Sequence, residues 1–501
     1  MSNNNLNNNK HYDLCVIGGG PSGYAAAMRA MDLGKKTALI EKGKIGGAGV
    51  FNGALSSKTL WELSEQYYNT KSTNYGYSVY DSELSYSGVL NEMFKALREK
   101  YTHLRTQVDY FKHKELMDSY NGHGKLITKN EIEIELVNGG KEIITADKIV
   151  LAVGSVPRYL PNIPIDEKII VTSDGVNGFD KFPESIVILG AGVIGCEFAT
   201  IFSNFGKTKV YLIDKQDRIL PFEDEDLSFI VAKNLEQNGV HIHRGASLES
   251  MNIVDGRVEY KLSFADGRTE TYNVEKALIS VGRVPNTKNL GLENVGLEVN
   301  NAGHAIDDNT QSNIDNIYVV GDFTADIALV NIAELEGRFA VEKMFGENPK
   351  NLIYENTSSI MFLKPEVAAV GINELTAKRK KIPYKMASYN FKFINRAIAM
   401  REIEGYFKLI VTDDDEMKVL GMRVIGAQSS STIQAVSLLI SLDKGIRELV
   451  DIIYPHPSIS EGLQECARML LGTSVNKPAV FNKDLKCYRV DSSGRVEFLY
   501  N

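Results

Sequence analysis

Tyr12-Asp13-Leu14-Cys15-Val16-Ile17 runs directly into Gly18-Gly19-Gly20-Pro21-Ser22-Gly23, and this join decides the fold. The first six residues form a short apolar run of the kind that makes a buried strand, and the glycines stop it. The stretch from Tyr24 to Leu33 is small and apolar enough to be a packed helix. Thr37-Ala38-Leu39-Ile40 then reads as a second strand that ends on Glu41, 18 residues past Gly23. Strand, tight turn, helix and strand over about 30 residues make a βαβ hand. Its glycines stand where a dinucleotide needs them: Gly18 for the turn, Gly20 to let a pyrophosphate near the backbone, and Gly23 to let helix and strand pack. Glu41 is placed to accept hydrogen bonds from ribose hydroxyls.

A single glycine-rich turn is a weak signal, because such turns are common. This one recurs. Ile186-Val187-Ile188-Leu189 leads into Gly190-Ala191-Gly192-Val193-Ile194-Gly195, a helix follows, and Val210-Tyr211-Leu212-Ile213 ends on Asp214. Two complete hands imply two dinucleotide sites. Between them a buried strand, Lys148–Val153, enters a Gly154-Ser155-Val156-Pro157 turn, and Ala277–Val281 enters Gly282-Arg283-Val284-Pro285 in the same manner. Both read as crossing points between domains. Asn316–Val320 is a further strand, ending on Gly321-Asp322, whose carboxylate can accept from the ribityl chain of a flavin.

From about residue 351 the pattern changes to alternating strands and two amphipathic helices with no phosphate-binding turn, which reads as a third domain. Segments 486–490 and 496–500 flank Asp491-Ser492-Ser493-Gly494-Arg495 and predict a terminal hairpin. Tyr67, Tyr68, Tyr75, Tyr77, Tyr80 and Tyr86 read as a loop packed on the first domain. A disordered tail is expected over 1–10 and an extension at 476–501.

The 501 residues are 43% hydrophobic and 24% charged, an ordinary globular composition, with no run approaching the roughly 18 to 20 apolar residues of a membrane helix. Lys plus Arg at 56 against Asp plus Glu at 64 gives a net charge of -8, the wrong sign for a nucleic-acid binder. No membrane and no nucleic-acid partner is expected. Cys15, Cys196, Cys466 and Cys487 include no C-x-x-C pair, so neither a zinc cage nor a disulfide framework is expected. With no secretory or organellar leader in MSNNNLNNNK, a cytoplasmic protein is expected. His241 and His243 share one face of a strand but lack a third ligand, so no metal is expected.

These motifs together resemble the FAD-dependent pyridine nucleotide-disulfide oxidoreductases, the family of dihydrolipoamide dehydrogenase, glutathione reductase and soluble pyridine nucleotide transhydrogenase. The resemblance spans residues 11 to 475 and includes both glycine turns, Ala152-Val153-Gly154, Val281-Gly282-Arg283-Val284-Pro285, Val320-Gly321-Asp322 and Pro365-Glu366-Val367-Ala368. It implies an α/β fold with two Rossmann-like domains, an FAD-binding domain from 11–160 and 287–350 and an NAD-binding domain at 161–286 inserted in it, and a C-terminal α+β dimerisation domain at 351–475, assembled as a homodimer. It also implies that Gly18, Gly20, Gly23, Glu41, Gly154 and Asp322 hold FAD, and that Gly190, Gly192, Gly195, Asp214 and Gly282 hold NAD(H). Asp214 would accept from a free 2′-hydroxyl and repel a 2′-phosphate, which favours NAD; nearby Lys215 and Arg218 soften that preference.

The family's disulfide lies in a segment of the form G-G-x-C-x-x-x-x-C-x-P-S-K. Here it reads Gly46-Gly47-Ala48-Gly49-Val50-Phe51-Asn52-Gly53-Ala54-Leu55-Ser56-Ser57-Lys58, with Gly49 and Ala54 at the two sulfur positions. Neither residue can carry out thiol-disulfide exchange, so dihydrolipoyl dehydrogenase activity is expected to be absent. The resemblance implies an ion pair of Lys58 and Glu197 beside the flavin. It also implies that His456 of His456-Pro457-Ser458-Ile459-Ser460-Glu461 is an acid-base group oriented by Glu461. The expected activity passes hydride from NADH to FAD and on to a non-thiol acceptor such as a quinone. Two alternatives remain: a transhydrogenase, and a non-catalytic relative that acts as a binding or scaffold protein.

Overall fold

The structure, a computed structural model, describes residues 10–71, 76, 79 and 82–500. Apart from Lys10, the expected tail lies outside the described residues, as do Tyr75, Tyr77 and Tyr80. The fold is mixed α/β, in two compact units. The first takes Thr70–Phe182 and Ser280–Leu352 with the described residues up to Gln66; the second takes Tyr67–Asn69, Pro183–Ile279 and the described residues from Ile353 onward.

In the first unit the strand His11–Ile17 lies between Thr37–Glu41 and Lys141–Leu151 and runs parallel to both. Ile317–Val319 extends this parallel set beyond Lys141–Leu151, and Met117–Leu126 extends it beyond Thr37–Glu41. Leu14, Cys15 and Val16 are fully buried, as continuous apolar strands covered on both faces must be. Met117–Leu126 and Lys141–Leu151 are long enough to serve twice: their outer halves pair antiparallel with Glu131–Leu136. The helix after the first turn spans Pro21–Asp32, three residues earlier than expected, because proline suits the first helical position, where no N–H partner is needed. It packs on the helix Val330–Met344 so closely that a Cβ at Gly337 would lie 2.1 Å from the Ser22 carbonyl oxygen.

In the second unit four parallel strands stand in the order His241–His243, Lys209–Ile213, Ser185–Leu189, Lys276–Ile279. The helix Val193–Phe205 follows the second glycine turn. An antiparallel meander, Ala246–Val254, Arg257–Phe264 and Thr269–Val274, follows in the chain. Beyond it comes a seven-stranded antiparallel sheet built on Ser358–Met361, Val367–Gly371, Val419–Ile425, Tyr406–Thr412 and Tyr384–Asn390. The expected terminal hairpin forms as Leu485–Val490 and Val496–Phe498, and it continues this sheet from Tyr384–Asn390 outward.

Two further differences from the sequence reading have local causes. The described part of the third region holds five short α-helices rather than two. Glu374–Arg379, Asn395–Met400 and Arg447–Asp451 have six, six and five residues, too short for a periodicity window to register. Tyr67 and Tyr68 lie in the helix Ala54–Thr70, and Tyr86 begins the helix Tyr86–His113, so these three are helical rather than loop residues.

Candidate functional site

Each glycine turn delivers a helix N-terminus with unpaired backbone N–H groups. The residues capping the two helices, Gly20 and Gly192, offer no side-chain cap, and a Cβ on either would meet nothing within 4 Å. That leaves room at each helix start for the close approach of an anionic pyrophosphate. Gly18 and Gly190 adopt φ of +106° and +104°, a conformation that favours glycine. A Cβ at Gly23 would fall 1.8 Å from the Gly18 carbonyl oxygen, so only glycine lets this helix approach the strand. Gly195 is buried at the corresponding place in the second helix.

The two acidic residues do the same job in both hands. Glu41 accepts from the Gly19 N–H and the Gly43 N–H, both at 2.6 Å. Asp214 accepts from the Ala191 N–H at 2.6 Å and the Gln216 N–H at 2.8 Å. Each carboxylate thus ties the end of the second strand to the second residue of the glycine turn, and each oxygen keeps a lone pair for a ribose hydroxyl. The residues present fit two dinucleotides.

Asp322 accepts from the Ser155 hydroxyl at 2.6 Å. Arg283 in turn donates to the Ser155 hydroxyl and carbonyl oxygens, both at 2.8 Å. These contacts are set up by the two crossing strands, Ser155–Pro157 and Arg283–Pro285, which pair antiparallel just after Gly154 and Gly282. Both glycines have positive φ, +66° and +102°. The Gly321 N–H donates to the buried Glu336 carboxylate at 2.6 Å. Ser155 and Glu336 were not singled out from the sequence; their partners lie 167 and 15 residues away, and only the latter spacing offered any local signal.

The altered segment is tightly packed within the first unit. Gly46 and Gly47 take φ of +108° and +45°, and a Cβ at Gly47 would lie 3.1 Å from the Gly20 Cα. A Cβ at Gly49 would lie 2.6 Å from Pro21 Cγ, so the residue that the resemblance places at the first sulfur position is pressed against the first glycine turn. Ala54 opens the helix Ala54–Thr70, which carries Lys58, half-buried, with its Nζ 3.3 Å from the Ser57 hydroxyl. All four cysteines are free and buried. Burial pushes the thiols of Cys15, Cys196 and Cys466 far up, and that of Cys487 up to about 12, so none supplies a thiolate at neutral pH.

Within the second unit Glu197 is buried on the helix Val193–Phe205 and accepts from the Phe362 N–H at 3.0 Å. His456 Nδ1 lies 2.8 Å from Glu461 Oε1, while Glu461 Oε2 accepts from the Ser458 N–H at 2.8 Å. Nδ1 is thereby engaged, and Nε2 is the nitrogen left for a reactant; the imidazole side chain is 63% exposed. The helix Glu461–Leu470 that supplies Glu461 packs on the strand Tyr406–Thr412, where a Cβ at Gly462 would meet the Phe407 ring at 2.6 Å. His241 and His243 both stack on Tyr211. Among the described residues no group of three or more His, Cys, Asp or Glu could hold a metal ion.

Beside Phe407 the structure holds a charge cluster that the sequence did not signal. Lys408 is 1% exposed and lies 3.1 Å from Asp224, 2.7 Å from Asp226 and 3.0 Å from Glu374. The hydroxyls of Tyr384 and of Tyr488, from the terminal hairpin, donate to Glu374 at 2.7 Å each. Arg423 pairs with Glu223 at 2.7 Å next to it. Burial favours the neutral acid, but Lys408 and the two phenols outweigh it and hold the Glu374 carboxyl below its ordinary value.

Two dinucleotide cradles followed by an antiparallel interface sheet define a nucleotide-dependent α/β redox fold, and comparison with known proteins narrows the class. The profile described as pyridine nucleotide-disulphide oxidoreductase matches residues 12–337, and that of the same family's dimerisation domain matches residues 357–467. A dihydrolipoyl dehydrogenase of Bacillus subtilis is 32% identical over 476 residues, covering 93% of this chain and 99% of its own. The mitochondrial dihydrolipoyl dehydrogenase 1 of Arabidopsis thaliana is 30% identical, covering 91% and 89%. The crystal structure of LpdA from Mycobacterium tuberculosis is similar with a TM-score of 0.84 at 25% identity, covering 92% of this chain and 99% of that one. The Cu(II) complex of the flavoprotein disulfide reductase RclA from Escherichia coli reaches 0.82 at 25% identity, covering 92% and 100%. The chain belongs to the pyridine nucleotide-disulphide oxidoreductase family and is a flavoprotein oxidoreductase of FAD and NAD(H). Among the described residues no helix is long and apolar enough to cross a membrane.

Proposed function

We propose that this chain oxidises NADH and delivers the electrons to a non-thiol acceptor of quinone-like class, with no dihydrolipoamide dehydrogenase activity. One observation carries the reading: Gly49 and Ala54 stand at both sulfur positions, and every thiol in the chain is free and buried. Thiol exchange needs an accessible thiolate, and this chain has none to offer.

The proposed FAD domain is 11–160 with 287–350, the NAD domain is 161–286, and the interface domain is 351–475 with an extension at 476–501. FAD, when bound, supplies the two-electron exchange between nicotinamide and acceptor. The chain's own residues bind and orient. Gly18, Gly20, Gly23, Glu41, Gly154 and Asp322 hold FAD, with Asp322 kept in place by Ser155 and Arg283. Gly190, Gly192, Gly195, Asp214 and Gly282 hold the nicotinamide cofactor, and the Asp214 carboxylate favours NADH by repelling a 2′-phosphate. Lys58 and Glu197 supply the ammonium and carboxylate of the reducing side. His456 holds or gives up a proton at Nε2 while Glu461 fixes Nδ1. An exposed imidazole on a domain matching the family's dimerisation profile supports a homodimer in which it serves the partner subunit. Four free cysteines fit a reducing compartment such as the cytoplasm.

Anaerobic stopped-flow mixing of the holoenzyme with NADH tests the reductive half. Rapid bleaching of the flavin band, with no long-wavelength thiolate charge-transfer band, is expected, and a flavin that stays oxidised overturns the reading. Steady-state assays with dihydrolipoamide and NAD are expected at background, beside measurable NADH oxidation by quinones; dihydrolipoamide turnover overturns the non-thiol assignment.

A further inference from the structure

The altered segment has two sides. Gly47 and Gly49 face the first glycine turn, while Phe51, with Lys44 just ahead of the segment, lines a groove of about 700 Å³ whose opposite wall is the helix Tyr86–His113. That wall contributes Phe94, Lys95, Arg98 and Tyr101. The groove lies within the first unit and is of ligand-binding size.

Its chemistry is aromatic and cationic at once. The Phe51 and Tyr101 rings meet edge to face, 5.7 Å apart at 66°, and the Lys44 ammonium sits 4.9 Å from the centre of the Phe51 ring. Glu92, the acid in the lining, is paired with Lys95 at 2.6 Å. Lys44 and Arg98 have no ion-pair partner among the described residues. In a chain of net charge -8 this is a local reversal of sign, and such a reversal draws anions. Flat aromatic walls take flat aromatic ligands, and exposed rings stack or meet edge to face with them. Phe51 lies between Gly49 and Ala54, so the segment that lacks the sulfurs forms one wall of the groove.

We propose that this groove is the binding site of the electron acceptor, and that the acceptor is a planar aromatic anion: a two- or three-ring quinone carrying a carboxylate, sulfonate or phosphate. Phe51 and Tyr101 hold the rings, and Lys44 and Arg98 hold the charge. The assignment rests on the non-thiol reading above and gives the acceptor a class and a place. The reaction balances as NADH plus a proton plus quinone to NAD⁺ plus hydroquinone. The nicotinamide supplies two electrons and one hydrogen, a second proton comes from the medium, and both quinone carbonyls become hydroxyls.

The probe is 9,10-anthraquinone-2-sulfonate, titrated calorimetrically into the oxidised holoenzyme beside its neutral 2-hydroxymethyl counterpart. Arg98→Glu and Phe51→Leu are compared with wild type, and FAD content and thermal unfolding report that each variant is folded. The sulfonate is expected to bind at least tenfold more tightly than the neutral compound. Arg98→Glu is expected to erase that preference, and Phe51→Leu to weaken both ligands about threefold or more. Equal affinity of both variants and wild type for the sulfonate overturns the site. Anthraquinone-sulfonate reduction whose KM is unchanged in Arg98→Glu overturns it too, while leaving the non-thiol reading intact. Binding that follows the expected pattern without NADH-dependent reduction of any quinone sustains the anion site and overturns the acceptor assignment, together with the reading it rests on.

Discussion

The segment Gly46–Lys58 and the turn His456–Glu461 are the two places to which the resemblance assigns thiol chemistry, and they differ in what they hold. In the first, Gly49 and Ala54 stand where the resemblance places the sulfurs, and Gly49 is pressed on the Pro21 ring, since a Cβ there would stand 2.6 Å from Pro21 Cγ. In the second, imidazole and carboxylate keep a 2.8 Å contact, and the second carboxylate oxygen is tied to the Ser458 N–H. A hydrogen-bonded dyad is a proton device and does not depend on sulfur; a disulfide is an electron relay and cannot exist without it. On the proposed reading the chain carries a hydrogen-bonded dyad at His456 and Glu461 without a sulfur relay at Gly49 and Ala54. The proposed quinone-like acceptor takes up protons with its electrons, so on that proposal it uses the dyad and not a disulfide.

The largest effect is expected of His456→Ala. If the dyad serves acceptor reduction, kcat/KM for the quinone falls about 10²- to 10⁴-fold, the usual worth of a general acid-base group, while NADH-dependent flavin bleaching in the stopped-flow stays fast. An unchanged kcat/KM means that the dyad is retained for packing alone.

Next in size is the platform beneath the dyad. Lys408 adjoins Phe407, against which the Glu461 helix packs, and Lys408→Met leaves three carboxylates without their buried cation. Breaking a buried pair in this way costs about 3–5 kcal/mol, read by denaturant unfolding. A loss below about 1 kcal/mol would mean that the cluster does not support the sheet on which the dyad rests.

Restoring the sulfurs tests the other region. Gly49→Cys with Ala54→Cys is expected to yield no dihydrolipoamide activity, and to lower stability by about 1–3 kcal/mol through overpacking at Pro21. A stable variant that turns over dihydrolipoamide would show the segment to be open and the contrast with the dyad to be superficial.

The smallest effect is on acid stability. The Glu374 carboxyl is held below its ordinary value, so its contribution is present above the unfolded-state pKa and lost as pH falls through the lowered folded-state value. Glu374→Gln should therefore flatten the fall in stability below about pH 4.5, seen by urea unfolding across pH. An acid limb identical to wild type would remove Glu374 from the account.

Much of this is legible in the sequence. A glycine turn between an apolar strand and a helix is a local event, because φ of a glycine and the missing N–H of Pro21 act on their immediate neighbours. The acidic residues closing each hand, the terminal hairpin and the spacing of His456 from Glu461 are likewise written within a few tens of residues. The short helices of the interface domain were not, since a helix of five or six residues has no period to detect. Ser155 gave no sign either: its partner Asp322 lies 167 residues away, and a serine after a glycine is ordinary.

By itself, then, the sequence determined the α/β class, the two dinucleotide hands and the absence of sulfur at Gly49 and Ala54, because each depends on residue identity and local backbone preference. Only the tertiary structure decided that Gly49 is pressed on Pro21, that Lys408 meets acids from positions 224, 226 and 374, and that Lys44 and Phe51 face Arg98 and Tyr101 across a groove. Those juxtapositions follow from which strands and helices become neighbours. Strand order is set by burial of whole faces across the chain, not by any pattern that a stretch of residues carries alone.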